Sequence, residues 1–310
     1  MPTVYAGIDV SHHSLAVAIL DQRGRYKQLS VANTPAGHRD LARRLKRGST
    51  TIHVVMEATS TYNLDLALCL HEQEQLIVSV INPKQGRDFA RAALQRAKTD
   101  PLDACGLALF AQRMQPPAWE PPSELALKLR GISRRIAKLV EERTAECNRR
   151  GAASATKLGG DVVDSCNRIL AALEAEIKRL EGLAVELIDS DPQLATSFEY
   201  LQSVKGIGVR SGIGLLGEIS CLPESMQPAQ WVALAGLDPK PVQSGSSIHP
   251  PWRISRQGSS HLRRLLYMPM LVATQHEPAI KACFDRLLTR GKPRRLAQCA
   301  VMRRMLHAIW

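Results

Sequence analysis

No two of the seven cysteines (69, 105, 147, 166, 221, 283 and 299) stand in a C-x₂-C or C-x₄-C pair, which argues against a zinc ribbon. An odd, scattered set fits reduced thiols in a cytosolic protein. No stretch approaches about 18 apolar residues, and no apolar signal segment opens the chain, so the expectation is a cytoplasmic protein with no membrane partner. Aromatic residues make up only 4% of the 310 positions, too few for a surface that reads unpaired bases mainly by ring stacking. Acidic residues are scarce in one place. Residues 202–310 hold 5 Asp/Glu against 15 Lys/Arg.

Hydrophobic residues reach 45%, which excludes global disorder and permits more than one core. The net charge of +12 is unevenly shared: +3 over residues 1–121, −1 over 122–201 and +10 over 202–310. A polyanion docking on the last third is the simplest account. A basic membrane-surface domain would need a long amphipathic helix with an aromatic face, and none is visible.

Three strand patterns come first, at 3–10, 14–20 and 27–32, with turn chemistry at Asp21-Gln22-Arg23-Gly24. A helix over 34–47 follows, with Thr34 as N-cap and Pro35 at its first position. Then come a strand at 52–57, a helix near 63–72, a strand at 76–81, and helices at 83–93 and 101–111. Three antiparallel strands followed by αβαβα is the order of an RNase H-like α/β fold. Pro116–Pro122 breaks the pattern. Leu125, Leu129, Ile132, Ile136 and Leu139 then recur at 4,3,4,3 spacing. So do Leu173, Ile177, Leu180, Ala184 and Leu187, with Gly159-Gly160 between the runs. This predicts a long helical hairpin with a coiled-coil seam, used either between subunits or within one chain. The expected organisation is 1–121, 122–190 and 191–310, the last mainly α-helical.

Asp9 closes the apolar run Val4–Ile8, and Glu57 closes Ile52–Met56. An unpaired carboxylate at the end of a buried strand is costly to desolvate, and a divalent cation such as Mg²⁺ removes that cost. Asp100 and Asp103 stand three apart where a helix begins. Capping explains them equally well: Asp100 at N-cap, Pro101 at N1 and Asp103 at N3. In an RNase H-like order, however, the last helix returns beside the ends of strands one and four. Four carboxylates there would repel one another without cations.

In the basic third, Lys205-Gly206-Ile207-Gly208 reads as a turn between helices, whose N–H groups can hold a phosphate. The bland alternative is a tight turn with no ligand. Ala235-Gly236-Leu237-Asp238-Pro239 leads into a loop with Ser244, Ser246 and Ser247, which as a bare pattern are ordinary turn residues. Arg253, Arg256, His261, Arg263 and Arg264 follow with few acids nearby, which favours phosphate contact over a solvated helix face.

The D…E…D-x-x-D set, the long central helices and the G-L-D-P…S-G…I-S-R-Q-G…L-R-R-L segment together resemble the DEDD transposases of bacterial insertion sequences, the recombinases guided by a bridge RNA. The resemblance runs from Gly7 to about Leu266. It implies a RuvC-like first domain whose Asp9, Glu57, Asp100 and Asp103 bind Mg²⁺, and a C-terminal domain with a serine nucleophile. The S-G pair puts that serine at Ser244, with Ser246 and Ser247 adjacent. Arg256 stands where the family uses lysine, which keeps the charge and changes its geometry. The resemblance further implies donor and target DNA as substrates, a guide RNA as partner, and dimers assembling to a tetramer at the nucleoid. The implied reaction is strand cleavage through a phosphoserine DNA intermediate.

Three rivals have their own signatures. A junction nuclease with water as nucleophile needs the acids and no serine. A non-enzymatic nucleic-acid scaffold needs neither. A sugar-kinase-like ATPase is faintly suggested by Gly7-Ile8-Asp9-Val10-Ser11, but lacks a second glycine-rich phosphate motif.

Overall fold

The computed structural model describes residues 4–46, 51–58, 62–93, 99–156, 159–240 and 253–310. The chain divides into two compact units, Met1–Pro121 and Pro122–Trp310.

The first unit begins with β1 (Val4–Val10), β2 (Ser14–Leu20) and β3 (Tyr26–Ala32), joined as antiparallel neighbours. Asp21 makes the second turn: its carboxylate accepts from the N–H groups of Arg23 and Arg25, both at 2.9 Å, while Gly24 takes φ +75°. Next come α1 (Pro35–Leu45), β4 (Ile52–Glu57), α2 (Leu64–His71), β5 (Leu76–Ile81), α3 (Pro83–Ala92) and α4 (Asp100–Met114). The α1 cap is as expected, with Thr34 accepting from Gly37 N–H. The five strands lie in the order β3-β2-β1-β4-β5, and β1, β4 and β5 are parallel. This is the RNase H-like order.

Strand alternation decides what covers each face. Ala6, Ile8 and Val10 of β1 pack with Leu41, Ala42 and Leu45 of α1 and with Leu66, Ala67 and Leu70 of α2. On the other face, Tyr5, Ala18 and Val55 pack with Ala104, Leu107, Ala108 and Ala111 of α4. Each fully buried Leu, Ile or Met contributes about 1.5–3 kcal/mol. One polar network crosses the edge of the sheet. The Ser79 hydroxyl donates to the Pro117 carbonyl at 2.7 Å, so its oxygen accepts from His53 Nε2–H at 2.8 Å. His53 is buried, and that burial lowers its pKa and keeps the ring neutral.

In the second unit, α5 (Glu124–Ser154) and α6 (Gly160–Asp189) are 31 and 30 residues long. They are followed by α7 (Pro192–Ser203), α8 (Val209–Ile219), α9 (Pro228–Leu234), the short strands β6 (Pro239–Lys240) and β7 (Arg253–Ile254), then α10 (Ser260–His276), α11 (Pro278–Thr289) and α12 (Arg294–Ile309). The apolar runs of α5 and α6 are satisfied within the chain: Leu129, Ile136 and Leu139 share one core with Ile177, Leu180 and Ala184. That core continues into α8, α10 and α12 through Ile213, Leu266 and Val301. Arg134 of α5 grips buried Glu218 of α8 with two bonds, Nε to Oε1 at 2.7 Å and Nη2 to Oε2 at 3.0 Å. Among the described residues no helix is long and apolar enough to cross a membrane.

Candidate carboxylate site and nucleic-acid interface

Asp9 and Glu57 lie side by side. The last paired residues of β1 and β4 are Ile8 and Met56, so the two acids occupy the next register position at the C-terminal ends of neighbouring parallel strands, which run about 5 Å apart. Asp9 alternates with Tyr5 and Gly7, and Glu57 with Val55, so both point to the face covered by α4. Both are half-buried. The chain leaves β1 and β4 in opposite directions across the sheet, and such a crevice is where open α/β sheets place ligands.

Two glycines set how closely the flanking helices approach. A Cβ on Gly7 would lie 2.1 Å from the Ala104 carbonyl oxygen and 2.3 Å from Ala108 N, so α4 rests directly on the β1 backbone. A Cβ on Gly86 would lie 2.3 Å from Oε1 of Glu57, so α3 rests on the carboxylate itself. Neither role was read from the sequence. The available signals were a glycine inside a strand and a glycine inside an amphipathic helix.

The aspartates of α4 correct one expectation. Thr99 occupies the N-cap with φ −147° and ψ 149°, and the Asp103 N–H bonds to the Thr99 carbonyl at 2.9 Å. Asp100 is thus the first helical residue, not the cap, and capping does not account for it. Asp100, Asp103, Ala104, Leu107, Ala108 and Ala111 follow helical spacing, so the two acids extend the stripe that packs on the sheet. Among the described residues neither has a hydrogen bond or ion pair to its carboxylate. Nor, among them, do three His, Cys, Asp or Glu side chains form a ready-made metal cage. The fold brings Asp9 and Glu57 together and sets Asp100 and Asp103 on the helix covering their face. Asp9 and Glu57 present oxygen donors only, the ligand type that a hard divalent cation takes.

An asparagine ties the same sheet end together. Asn33 Nδ2 donates to the Ser11 carbonyl at 2.8 Å and the Tyr62 carbonyl at 3.3 Å, while its Oδ1 accepts from His38 at 2.7 Å. Asn33 thereby links Ser11, just after β1, to Tyr62, just before α2.

In the second unit, the Gly206 turn joins α7 and α8 as expected. Gly206 has φ +100°, and a Cβ there would lie 2.5 Å from the Pro269 carbonyl oxygen, so the turn is seated on α10. Gly208 is the α8 N-cap and offers no side-chain acceptor to the first N–H groups. Lys205 beside it is exposed.

Ser244, Ser246 and Ser247 lie outside the described residues. The ends of their loop are paired, Pro239 with Ile254 and Lys240 with Arg253. The flanking motifs hold each other: Ser255 Oγ donates to Asp238 Oδ1 at 2.5 Å, and Arg256 N–H bonds to the Gly236 carbonyl at 3.1 Å. Gly258 is needed because a Cβ would fall 2.1 Å from the Leu234 carbonyl oxygen. Arg263 is engaged in this scaffold, donating to the carbonyls of Ala235 at 2.7 Å and Ser259 at 3.4 Å. Arg264 pairs with Glu141 of α5, an acid more than a hundred positions away that the local sequence does not reveal. Arg253 and Arg256 are exposed and, among the described residues, have no ion-pair partner.

Two known families match the chain in order, the first extending past Pro121 through most of α5. Residues 6–153 match the DEDD transposase family of insertion element IS110, and residues 198–285 match the transposase IS116/IS110/IS902 family. The chain is 28% identical over 317 residues to the pilin gene-inverting protein of Moraxella bovis, covering 99% of this chain and 94% of that protein. The 43.6 kDa protein of insertion element IS110 from Streptomyces coelicolor is 27% identical over 149 residues, covering 48% of this chain and 36% of that one. Among solved structures, Thermus thermophilus RuvC aligns with TM-score 0.28 and 18% identity, over 36% of this chain and 96% of that chain. With two family matches in order along one chain, together covering well over half of it, the protein belongs to the IS116/IS110/IS902 family of transposases, enzymes that recombine DNA.

Proposed function

We propose that this transposase cleaves and rejoins DNA by joining two chemistries, a carboxylate-held Mg²⁺ site in the first unit and the Ser244 hydroxyl in the second. The observation that supports it best is the in-register placement of Asp9 and Glu57 at neighbouring strand ends, under a helix that brings two uncapped aspartates to the same face. A divalent cation held by Asp9, Glu57, Asp100 and Asp103 would polarise a scissile phosphate. Ser244 Oγ attacks that phosphorus. A P–Oγ bond forms, the P–O3′ bond breaks, and the serine proton leaves for the 3′-oxygen. The phosphoserine linkage keeps the phosphodiester energy, so strands rejoin without ATP. Lys205, Gly206, Gly208, Arg253 and Arg256 are the proposed nucleic-acid contacts of the second unit. Arg263 and Arg264 act there by holding the loop scaffold and the α10 start.

The choice of site is proposed to come from a guide RNA, in keeping with the low aromatic content. Subunit association is proposed to use the outer face of α6. There Val162, Ile169 and Leu183 are 53%, 45% and 41% exposed and recur at multiples of seven. A dimer assembling to a tetramer at the nucleoid then lets acids and serine come from different subunits.

The test is denaturing electrophoresis after incubating the protein, candidate guide RNA, labelled donor DNA and Mg²⁺. The proposal expects a protein–DNA adduct that disappears with Ser244→Ala. Cleavage that persists in Ser244→Ala without an adduct would mean a water nucleophile instead.

A further inference from the structure

The sequence places the nucleic-acid contacts in the basic last third. The first unit carries a separate basic feature beside the carboxylates. Helix α3 buries none of its residues. Its inner stripe is Gly86, Phe89 and Ala90, all half-buried. Gly86 lies against the Glu57 carboxylate, and the Phe89 ring meets the Phe110 ring edge-on at 5.2 Å. Its outer stripe is Lys84, Arg87, Asp88 and Arg91, all exposed, at i, i+3, i+4 and i+7. Asp88 is the single acid of that helix. Lys84 holds its carboxyl below the usual range, aided by Arg91 and Arg87. One carboxylate thus faces three cations, and the stripe keeps a surplus of positive charge.

A helix that contributes so little to the core needs another reason for its charge pattern. Its inner face lies against the Glu57 carboxylate at Gly86, and its outer face is cationic. A strand whose phosphate reaches the carboxylates must run past this helix. We propose that α3 is a DNA-backbone clamp, with Arg87 and Arg91 contacting phosphates next to the one that is cleaved and Gly86 fixing Glu57 beneath them. DNA is the partner chosen because the clamp adjoins the proposed cleavage site, on which this inference rests.

The test uses the full-length protein in EDTA, so that binding is read without metal or cleavage. Affinity for a fluorescein-labelled DNA duplex of unrelated sequence is measured by anisotropy against salt. Each phosphate contact contributes about 0.9 to the slope of log K on log salt. Arg87→Gln/Arg91→Gln is expected to lower that slope by nearly 2 and to weaken binding on the order of tenfold at ~0.1 M salt. Arg43→Gln, an exposed cation on α1 against the opposite face of the sheet, should keep the full slope. A photoreactive residue at position 88 should crosslink to the duplex, whereas one at position 72, beyond α2 on the opposite face, should not. An unchanged slope, or no adduct from position 88, overturns the clamp. The carboxylate reading fails separately, when Asp9→Asn still cleaves DNA with Mg²⁺.

Discussion

Replacing Gly7 and Gly86 by alanine, one at a time, should separate stability from activity at the same site. At Gly7 the new Cβ meets backbone on two sides, 2.1 Å from Ala104 O and 2.3 Å from Ala108 N. Neither can rotate away, so α4 must retreat from β1 by more than about 1 Å to restore ordinary contact. Overpacking of this kind costs about 3 kcal/mol. The same retreat carries Asp100 and Asp103 with it, and a 1 Å misplacement near a reacting centre costs about 10²-fold in rate. At Gly86 the new Cβ meets only the tip of a side chain, Glu57 Oε1 at 2.3 Å. That carboxylate is the far end of a flexible side chain, not backbone, while alanine gains roughly 0.5–1 kcal/mol over glycine inside a helix. Gly86→Ala should therefore be as stable as the parent or more so, yet lose activity about as severely as Gly7→Ala. Urea unfolding followed by fluorescence, together with Mg²⁺-dependent DNA cleavage, reads both quantities. A Gly86→Ala protein with full activity would refute the claim that Glu57 must stay where α3 holds it. A Gly7→Ala protein of unchanged stability would refute the close β1–α4 contact.

Three further outcomes follow from the same geometry. Glu218→Ala strands Arg134 and removes a buried partner. Because Arg134 is 40% exposed, the usual cost of breaking a buried pair is discounted to about 2 kcal/mol, measured by urea unfolding. Burial lowers the pKa of His53, so the unfolded chain binds its proton more readily. Stability of the first unit should be complete above the ordinary value of 6.5 and fall as pH drops below it, and His53→Gln should flatten that dependence in thermal melts. Gly258→Ala, at φ +143° and 2.1 Å from the Leu234 carbonyl oxygen, should undo the loop scaffold. It should reduce adduct formation at least tenfold while leaving divalent-cation binding by the first unit intact; equal loss of both would contradict the assignment.

What could be read directly from the sequence follows from periodicity. Strand alternation in Val4–Val10 and Ile52–Glu57 put both acids at strand ends, and Thr34 announced its helix by cap chemistry. The α4 start was misread by one position because Thr99 and Asp100 are both good caps, and only the backbone angles of Thr99 distinguish them. The apolar runs of α5 and α6 were legible as helices, but not as partners of each other, since one seam serves either packing. Long-range pairings left no local trace. Glu141 neutralises Arg264 from another helix, and Arg263 turns inward to carbonyls that a sequence reading counts as already satisfied. The sequence also concealed that Gly7 and Gly86 are contacts, because a missing side chain shows its purpose only when the neighbour is seen.

The central claim is that Asp9, Glu57, Asp100 and Asp103 act together on one divalent-cation site. Titration of the full-length protein with Mn²⁺, followed by electron paramagnetic resonance of the free ion, tests it without reference to any DNA substrate. The account predicts saturable binding that is lost in Asp9→Asn and again in Asp103→Asn. Binding that survives both substitutions, or no saturable binding by the unmodified protein, would contradict it.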